Sequence, residues 1–408
     1  MRPSDLRTLI GLRPPELDPR RRRLARCHDL GDMRAIARRR IPRAVFDYVD
    51  GGADDEITLQ RNVEAYRRWE FVPRNLEDVA SADSSVVLLG NRLPQPLVFS
   101  PTGYTRMMDP AGELAVARAA ARAGLPYGLS TVASTSIEEL ATTGHRQLWF
   151  QLYIWRDRDL VYDLVERARA HGYKALEVSV DVPVSGNRGR DVRNGLTIPP
   201  RLTARALLDI GRRPSWWIRM MRAPVVRFAN APPGVGGHAG VTIENMTAQF
   251  DPSVGWDDLA DIRSRWPGQL LLKGAIGPED ARRAIAAGVD GLHLSNHGGR
   301  QLDRTVPPID LLPAVREAVG DEVAIVVDSG IRHGADVAVA IALGADAGAI
   351  GRAYLYGLMA AGEPGVDRVA ALFAAQFTRT MQLLGVRTVD ELRALGPELL
   401  RQREPQHA

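Results

Sequence analysis

The run Ser295-Asn296-His297-Gly298-Gly299-Arg300 brings together residue types that could take a proton from a small acid. Histidine titrates near neutrality and serves as a general base. Arg300, three places on, carries a fork that grips a carboxylate through two hydrogen bonds. Asp181, far upstream at the end of an apolar run, could hydrogen-bond the imidazole and stabilise its cation. Base, orienting acid and carboxylate clamp suit proton removal from a small hydroxy acid. His293 and His297 are four apart, the spacing of a metal pair on a helix. Here they straddle the end of a short apolar run, so no metal is expected. His293 and Ser295 share one face of that run, and His297 lies beyond it.

A second set of residues asks for an anion. Gly330 and Gly351 allow backbone N–H groups to approach a ligand closely, and Arg332 and Arg352 add charge of the right sign. A phosphorylated cofactor or substrate follows. Lys273 ends another apolar run, where an unpaired ammonium would be costly. It should face something anionic or electron-rich. A flavin ring, whose N1–C2=O edge becomes negative on reduction, meets that need; the ordinary alternative is a salt bridge.

These residues must be positioned by a scaffold, and the chain has a rhythm that supplies one. Short apolar runs at Leu97–Ser100, Tyr127–Ser130, Leu148–Tyr153, Ala175–Val180, Leu270–Lys273, Gly291–Ser295, Val323–Val327 and Ala347–Ile350 read as strands. Between most of them lie helical stretches, such as Gly112–Ala123, Asp159–His171, Pro278–Ala287 and Ala335–Leu343. Gly124, Gly172, Gly288 and Gly344 stand where they would cap those helices. Eight strand–helix units in series predict an α/β fold, a (β/α)8 TIM barrel. No GxGxxG follows an early strand, which weakens a doubly wound sheet. In such a barrel the active site lies at the C-terminal strand ends, and every end here carries polar or backbone-exposing residues.

Helices are expected ahead of the barrel at Asp29–Arg39, from Pro42 through Asp50, and from near Asp54 through Tyr66. The expected organisation is an N-terminal helical arm with barrel-bottom closure over 1–95, the barrel over 96–380 and a tail over 381–408. The barrel includes a long insertion after strand 4, at 185–255. Within it, Arg212–Phe228 mixes Trp216, Trp217, Met220 and Met221 with arginines. This suits either a membrane interface or a lid packed on the barrel.

The chain has 408 residues, 45% hydrophobic and 25% charged, which excludes a disordered or disulfide-stapled chain. The single cysteine, Cys27, forbids an internal disulfide and suits a reducing, cytoplasmic setting. No run is long and apolar enough to span a membrane, and the Arg-rich N-terminus lacks the apolar core of a secretory signal. A net charge of +4 gives little reason for a nucleic-acid partner. The Arg20–Arg23 and Arg38–Arg40 clusters read as a solvated arm or as contacts to an anionic membrane surface.

From about Asp29 to Leu392 the sequence resembles the FMN-dependent L-2-hydroxy acid dehydrogenases and oxidases, most of all the bacterial respiratory L-lactate dehydrogenases. The signature is Ser295-Asn296-His297-Gly298-Gly299-Arg300-Gln301. Phe46-Asp47-Tyr48, Phe150-Gln151-Leu152-Tyr153, Val180-Asp181-Val182-Pro183, Asp328-Ser329-Gly330-Ile331-Arg332 and Gly351-Arg352-Ala353-Tyr354 support it. The resemblance implies that His297 is the base, assisted by Asp181. It implies that Tyr48 and Arg300 bind the substrate carboxylate, that Tyr153 meets the hydroxyl oxygen and that Arg188 lies near the mouth. Thr102, Gly103, Ser130, Gln151, Ser179, Lys273 and Ser295 would contact the flavin region of FMN. Asp328 and Ser329 would meet the ribityl chain, and Gly330, Arg332, Gly351 and Arg352 the phosphate. Ser179 stands where threonine is usual. Glycine at 103, where oxidases carry alanine, tilts the expectation to a dehydrogenase.

The leading expectation is therefore oxidation of an L-2-hydroxy acid, L-lactate first, with electrons passed to a quinone or another acceptor. An oxidase or monooxygenase using oxygen, or activity on mandelate-like substrates, is the alternative, with Val132 and the 185–255 insertion setting specificity. A homotetramer is expected from relatives, as is peripheral contact with the inner face of the plasma membrane through 212–228. A silent membrane-associated barrel would make the strand-end residues coincidental. A barrel of the inosine monophosphate dehydrogenase type would want a cysteine near the sixth strand, and there is none.

Overall fold

The computed structural model describes residues 16–195, 204–231 and 248–403. Eight parallel strands close into a barrel in chain order: β1 Leu97–Thr102, β2 Tyr127–Ser130, β3 Leu148–Tyr153, β4 Ala175–Ser179, β5 Gln269–Gly274, β6 Gly291–Leu294, β7 Ala324–Val327 and β8 Ala347–Ile350. The eight expected runs are these strands, shifted by no more than two residues at either end. β2, β3 and β4 are buried along their whole length. A strand covered on both faces reads as an unbroken apolar run, which is why these were legible. The helices Gly112–Ala123, Arg158–Ala170, Pro278–Ala286 and Gly334–Ala342 follow β1, β3, β5 and β7. The glycines expected to stop them all take positive φ, from 66° at Gly124 to 108° at Gly344.

Among the described residues a short helix, Pro19–Leu24, and three longer ones precede the barrel: α1 Leu30–Arg40, α2 Arg43–Asp50 and α3 Ile57–Arg67. Asp29 caps α1, accepting from the Asp32 amide at 2.8 Å. α3 starts later than its sequence suggests. Glu56 takes a left-handed φ of 62°, and the Asp303 carboxylate, from the loop after β6, accepts from the Thr58 amide at 2.7 Å. A cap supplied from so far along the chain leaves no local signal. A two-stranded hairpin, Val86–Leu88 with Asn91–Leu93, buries Leu88 and Leu93 just ahead of β1.

The C-terminal segment folds back onto the arm. The helix Glu363–Leu384 runs across the 380/381 boundary drawn from the sequence. Beyond it Leu400–Gln402 pairs antiparallel with Trp69–Phe71, between the arm and the barrel. Of the insertion, residues 196–203 and 232–247 lie outside the described residues, as do 1–15 and 404–408.

The arm is fixed to the barrel by a buried carboxylate. Asp50, 7% exposed, receives Arg34 through two hydrogen bonds of 2.6 and 2.7 Å, the Tyr356 hydroxyl at 2.8 Å and Arg190 at 3.2 Å. Burial pushes the Asp50 carboxyl up, but Arg34 and Tyr356 outweigh it and hold it below its ordinary value. A depressed folded pKa contributes stability above the unfolded carboxylate value, and loses it as pH falls through the folded one. Asp50→Asn is expected to destabilise the protein by about 3 kcal/mol at neutral pH. Thermal unfolding across acidic pH should show that deficit shrinking as the wild-type carboxylate takes up its proton.

Candidate active site

A cavity opens at the C-terminal strand ends, lined from Tyr48 and Thr102 on one side to Arg332 and Arg352 on the other. His297 stands on its wall in a left-handed backbone conformation, φ 58°. Its amide donates to the Ser295 hydroxyl at 3.0 Å, and its ring is held on both sides. Nδ1 lies 3.1 Å from Asp181 Oδ2 and Nε2 lies 3.2 Å from the Tyr153 hydroxyl. Asp181 is pushed up by burial, yet His297 and Lys273 hold it below the usual carboxylate value. Tyr153 is raised, by burial first and then by the Asp181 charge, so it stays a neutral phenol.

Beside this line stands a cationic patch. The Arg300 and Arg188 guanidiniums lie 4.9 and 5.6 Å from the centre of the Tyr48 ring. Arg300 donates to the Tyr48 carbonyl, and Arg188 pairs with Asp191 at 3.3 Å. Burial, and then Arg188, push Arg300 below its ordinary value. Two cations and one carboxylate leave a net positive charge beside an imidazole. An incoming carboxylate would neutralise it.

The other side of the cavity carries the cofactor candidates. Lys273, 3% exposed, donates to the Ser295 hydroxyl at 3.0 Å. Ser130 donates to Gln151 Oε1 at 2.9 Å, whereas Gln151 Nε2 and the Ser179 hydroxyl are buried without partners. Leaving such groups unpaired costs roughly 1–3 kcal/mol each, so they await a polar ligand. Gly351 heads the helix Arg352–Ala361 with no side-chain cap, and its added Cβ would point toward Ser100 and Thr102. That leaves open amides at a ten-residue helix start, a natural seat for phosphate. Arg332 lines the same end. The donor set therefore fits a ring system with a phosphate tail.

Several expected contacts are built differently. All three Arg352 nitrogens already donate to backbone carbonyls: Val49 at 2.8 Å, Gly298 at 2.8 Å and Gly51 at 2.7 Å. Arg352 thus ties the loop after β6 to the end of α2, which leaves two of its five N–H groups for the phosphate end. Gly330 takes φ 117°, and a Cβ there would sit 2.1 Å from the Asn62 carbonyl, so packing against α3 alone requires glycine. The Ser295 and Ser329 hydroxyls point into the protein: Ser329 Oγ accepts from the Gly298 amide at 3.0 Å and donates to Asp328 at 2.7 Å. The Thr102 hydroxyl meets that of Tyr354 at 2.7 Å. Ser179 and Asp181 border an adjoining cavity that shares Tyr153. Gln151 stands behind Ser130.

Sequence reading missed Asp191, the countercharge to Arg188, and the mutual amide pairing of Asn62 with Asn296 at 2.7 and 2.8 Å. It also missed Met108 in the wall, whereas Phe228 and Phe250 come from the 185–255 insertion expected to set specificity. The aromatic-basic segment packs inward: Trp216 donates to the Met107 carbonyl at 3.2 Å, and Arg219 pairs with buried Asp109 at 2.6 Å. Its outer side leaves Met221 and Val225 more than three-quarters exposed.

Residues 37–401 match the family of FMN-dependent dehydrogenases. A Mycobacterium tuberculosis (strain ATCC 25618 / H37Rv) protein, provisionally named L-lactate dehydrogenase, is 47% identical over 407 residues, 97% of each chain. The (S)-mandelate dehydrogenase of Pseudomonas putida is 40% identical over 369 residues, 90% of this chain and 92% of that one. Among solved structures, the monotopic membrane protein (S)-mandelate dehydrogenase superposes with a TM-score of 0.87 at 38% identity, covering 92% of this chain and all of that one.

One contact in the cavity wall yields a test. A Cβ on Gly103 would stand 2.6 Å from Val132 Cγ2. Gly103→Ala is expected to destabilise the FMN-loaded protein by roughly 1–3 kcal/mol through overpacking. Gly103→Ala/Val132→Ala should recover most of that loss in thermal unfolding.

Proposed function

Because the chain belongs to the family of FMN-dependent dehydrogenases acting on 2-hydroxy acids, we propose that its reaction is the oxidation of L-lactate to pyruvate. The observation that carries this is the His297 ring, clamped between Asp181 and Tyr153, beside an Arg188–Arg300 patch that Asp191 only half neutralises. The 2-hydroxy acid carboxylate is held by Arg300 with Tyr48, and Arg188 adds charge at the mouth. Tyr153 donates to the substrate hydroxyl oxygen. His297 Nε2 takes the hydroxyl proton, and Asp181 at Nδ1 stabilises the imidazolium that forms. Lys273, Gln151 and Ser179 would hold the FMN ring, Asp328 the ribityl chain, and the amides from Gly351 with Arg332 the phosphate. Bound there, FMN supplies a two-electron acceptor.

A second reading has a specific basis. Met108, Val132, Phe228 and Phe250 make one side of the cavity apolar and partly aromatic. That wall suits a mandelate-like side chain better than a methyl group. Oxygen remains the alternative acceptor to a quinone, with Gly103 favouring the dehydrogenase.

The exposed Met221 and Val225, with Leu207 and Leu208 nearby in sequence, support docking of 204–228 on a membrane surface that holds the acceptor. No helix of the described residues is long and apolar enough to cross a membrane. The working assembly is a homotetramer in a cytoplasmic, membrane-peripheral location; light scattering of the purified protein would return the tetramer mass.

Anaerobic mixing with L-lactate should bleach the FMN absorption of the wild type. His297→Ala should retain FMN and slow bleaching by about 10²–10⁴-fold, the usual worth of a general base. Wild-type bleaching in that variant would remove His297 from its role. Arg300→Lys should raise KM for lactate far more than it lowers kcat, since the second hydrogen bond to the carboxylate is lost. Comparing kcat/KM for lactate and mandelate decides between the two substrate readings.

A further inference from the structure

Beneath the cavity lies a charged pair that the reaction does not touch. Glu177 of β4 and His293 of β6 meet inside the barrel, both without exposed surface, with Glu177 Oε1 2.7 Å from His293 Nδ1. On the other side of the ring, Nε2 lies 3.2 Å from Asp328 Oδ2, an ion-pair contact without the alignment of a hydrogen bond. In the register of the barrel His293 is the partner of Lys273. Four ionisable groups from neighbouring parts of the barrel thus share one buried cluster.

The charges in that cluster have to balance, because interiors do not tolerate isolated ones. Two carboxylates, Glu177 and Asp328, require two cations. Lys273 is one. Its ammonium donates to Ser295, and among the described residues no carboxylate lies within 4 Å of it. Among the described residues, the other group placed to answer both carboxylates is His293. Glu177 Oε2 is itself buried without a partner, so a neutral imidazole would leave Glu177 an almost uncompensated anion. Burial pulls His293 down, but the Glu177 and Asp328 charges outweigh it and raise it to about 9. Asp328 is correspondingly held far below the usual carboxylate range: burial raises it, and Lys273 and His293 more than reverse that. The ionisable groups facing this cluster from farther out are Asp181 and His297 at the mouth, and Tyr66 of α3 beside Asp328.

We propose that His293, kept as an imidazolium by Glu177, shares Asp328 with Lys273 from below and thereby leaves part of the Lys273 charge for the bound cofactor. His293 and Glu177 are positioning residues: they touch neither substrate nor FMN, and act through Asp328 and Lys273. With His293 neutral, Asp328 would draw on Lys273 alone, and the site would favour reduced, negatively charged FMN less. The inference rests on the FMN reading of the site.

The test uses the full chain loaded with FMN. Glu177→Gln/His293→Gln removes both charges while keeping two hydrogen-bonding side chains of similar reach. The midpoint potential of bound FMN is measured anaerobically against reference dyes, and oxidised FMN binding by the apoprotein is followed by flavin fluorescence. The double variant should still bind oxidised FMN, but its preference for reduced over oxidised FMN should fall about tenfold, because Asp328 then draws on Lys273 alone. That is read as a more negative midpoint potential. An unchanged potential in the loaded double variant overturns the proposal. A wild type that binds no FMN would instead overturn the underlying reading of the site. Should the double variant not fold, ¹⁵N-histidine spectra of the wild type decide: both His293 ring nitrogens protonated at about pH 8 support the imidazolium, and a neutral ring at about pH 7 refutes it.

Discussion

The site depends on one constraint: the His297 ring is fixed from two sides at once. Asp181 occupies Nδ1 and Tyr153 faces Nε2. With Nδ1 satisfied by a carboxylate, proton uptake is directed to Nε2, the nitrogen that faces the cavity. The strained backbone of His297 is tolerated because Ser295 and Ser329 hold its amide and that of Gly298. Much of the loop after β6 therefore serves to aim one nitrogen.

The second organising fact is an excess of positive charge that the protein does not neutralise by itself. Arg188, Arg300, Arg332 and Arg352 converge on the cavity, and each of Arg300 and Arg352 is pushed down by burial and then by another arginine. Such an arrangement is unfavourable until anions arrive, so it is paid for by ligand binding. Arg352 shows how the scaffold tolerates it: a guanidinium with three backbone carbonyls is solvated by the protein. The Glu177–His293–Asp328 cluster does the opposite, balancing its charges inside the barrel with Lys273 as the second cation.

Much of this was legible in the sequence, for identifiable reasons. The barrel strands are buried on both faces and read as apolar runs, and the helices between them end at glycines whose positive φ is a local property. His297, Arg300 and Asp181 were legible because each stands at the end of such a run. What stayed hidden was anything set by pairing across the fold. Arg352 carries the right charge in the right loop for phosphate, yet its fork is partly occupied by carbonyls from α2 and the loop after β6. The late start of α3 depends on Asp303. Nothing local to Glu177 marks it as the partner of His293, two strands away. Of the two readings left open for Trp216 and its neighbours, inward packing describes one side of the helix and the exposed Met221 the other.

The clasp between Trp69–Phe71 and Leu400–Gln402 bears on the order in which the enzyme can be assembled. Tyr48 and Val49 reach the cavity from a segment made before any barrel strand. The strand that clasps Trp69–Phe71 is made only after all eight. Until then the arm is held to the barrel by Asp50 with Tyr356 and by Arg352 with the carbonyls of Val49 and Gly51. Completion of the barrel and closing of the clasp are therefore separate events.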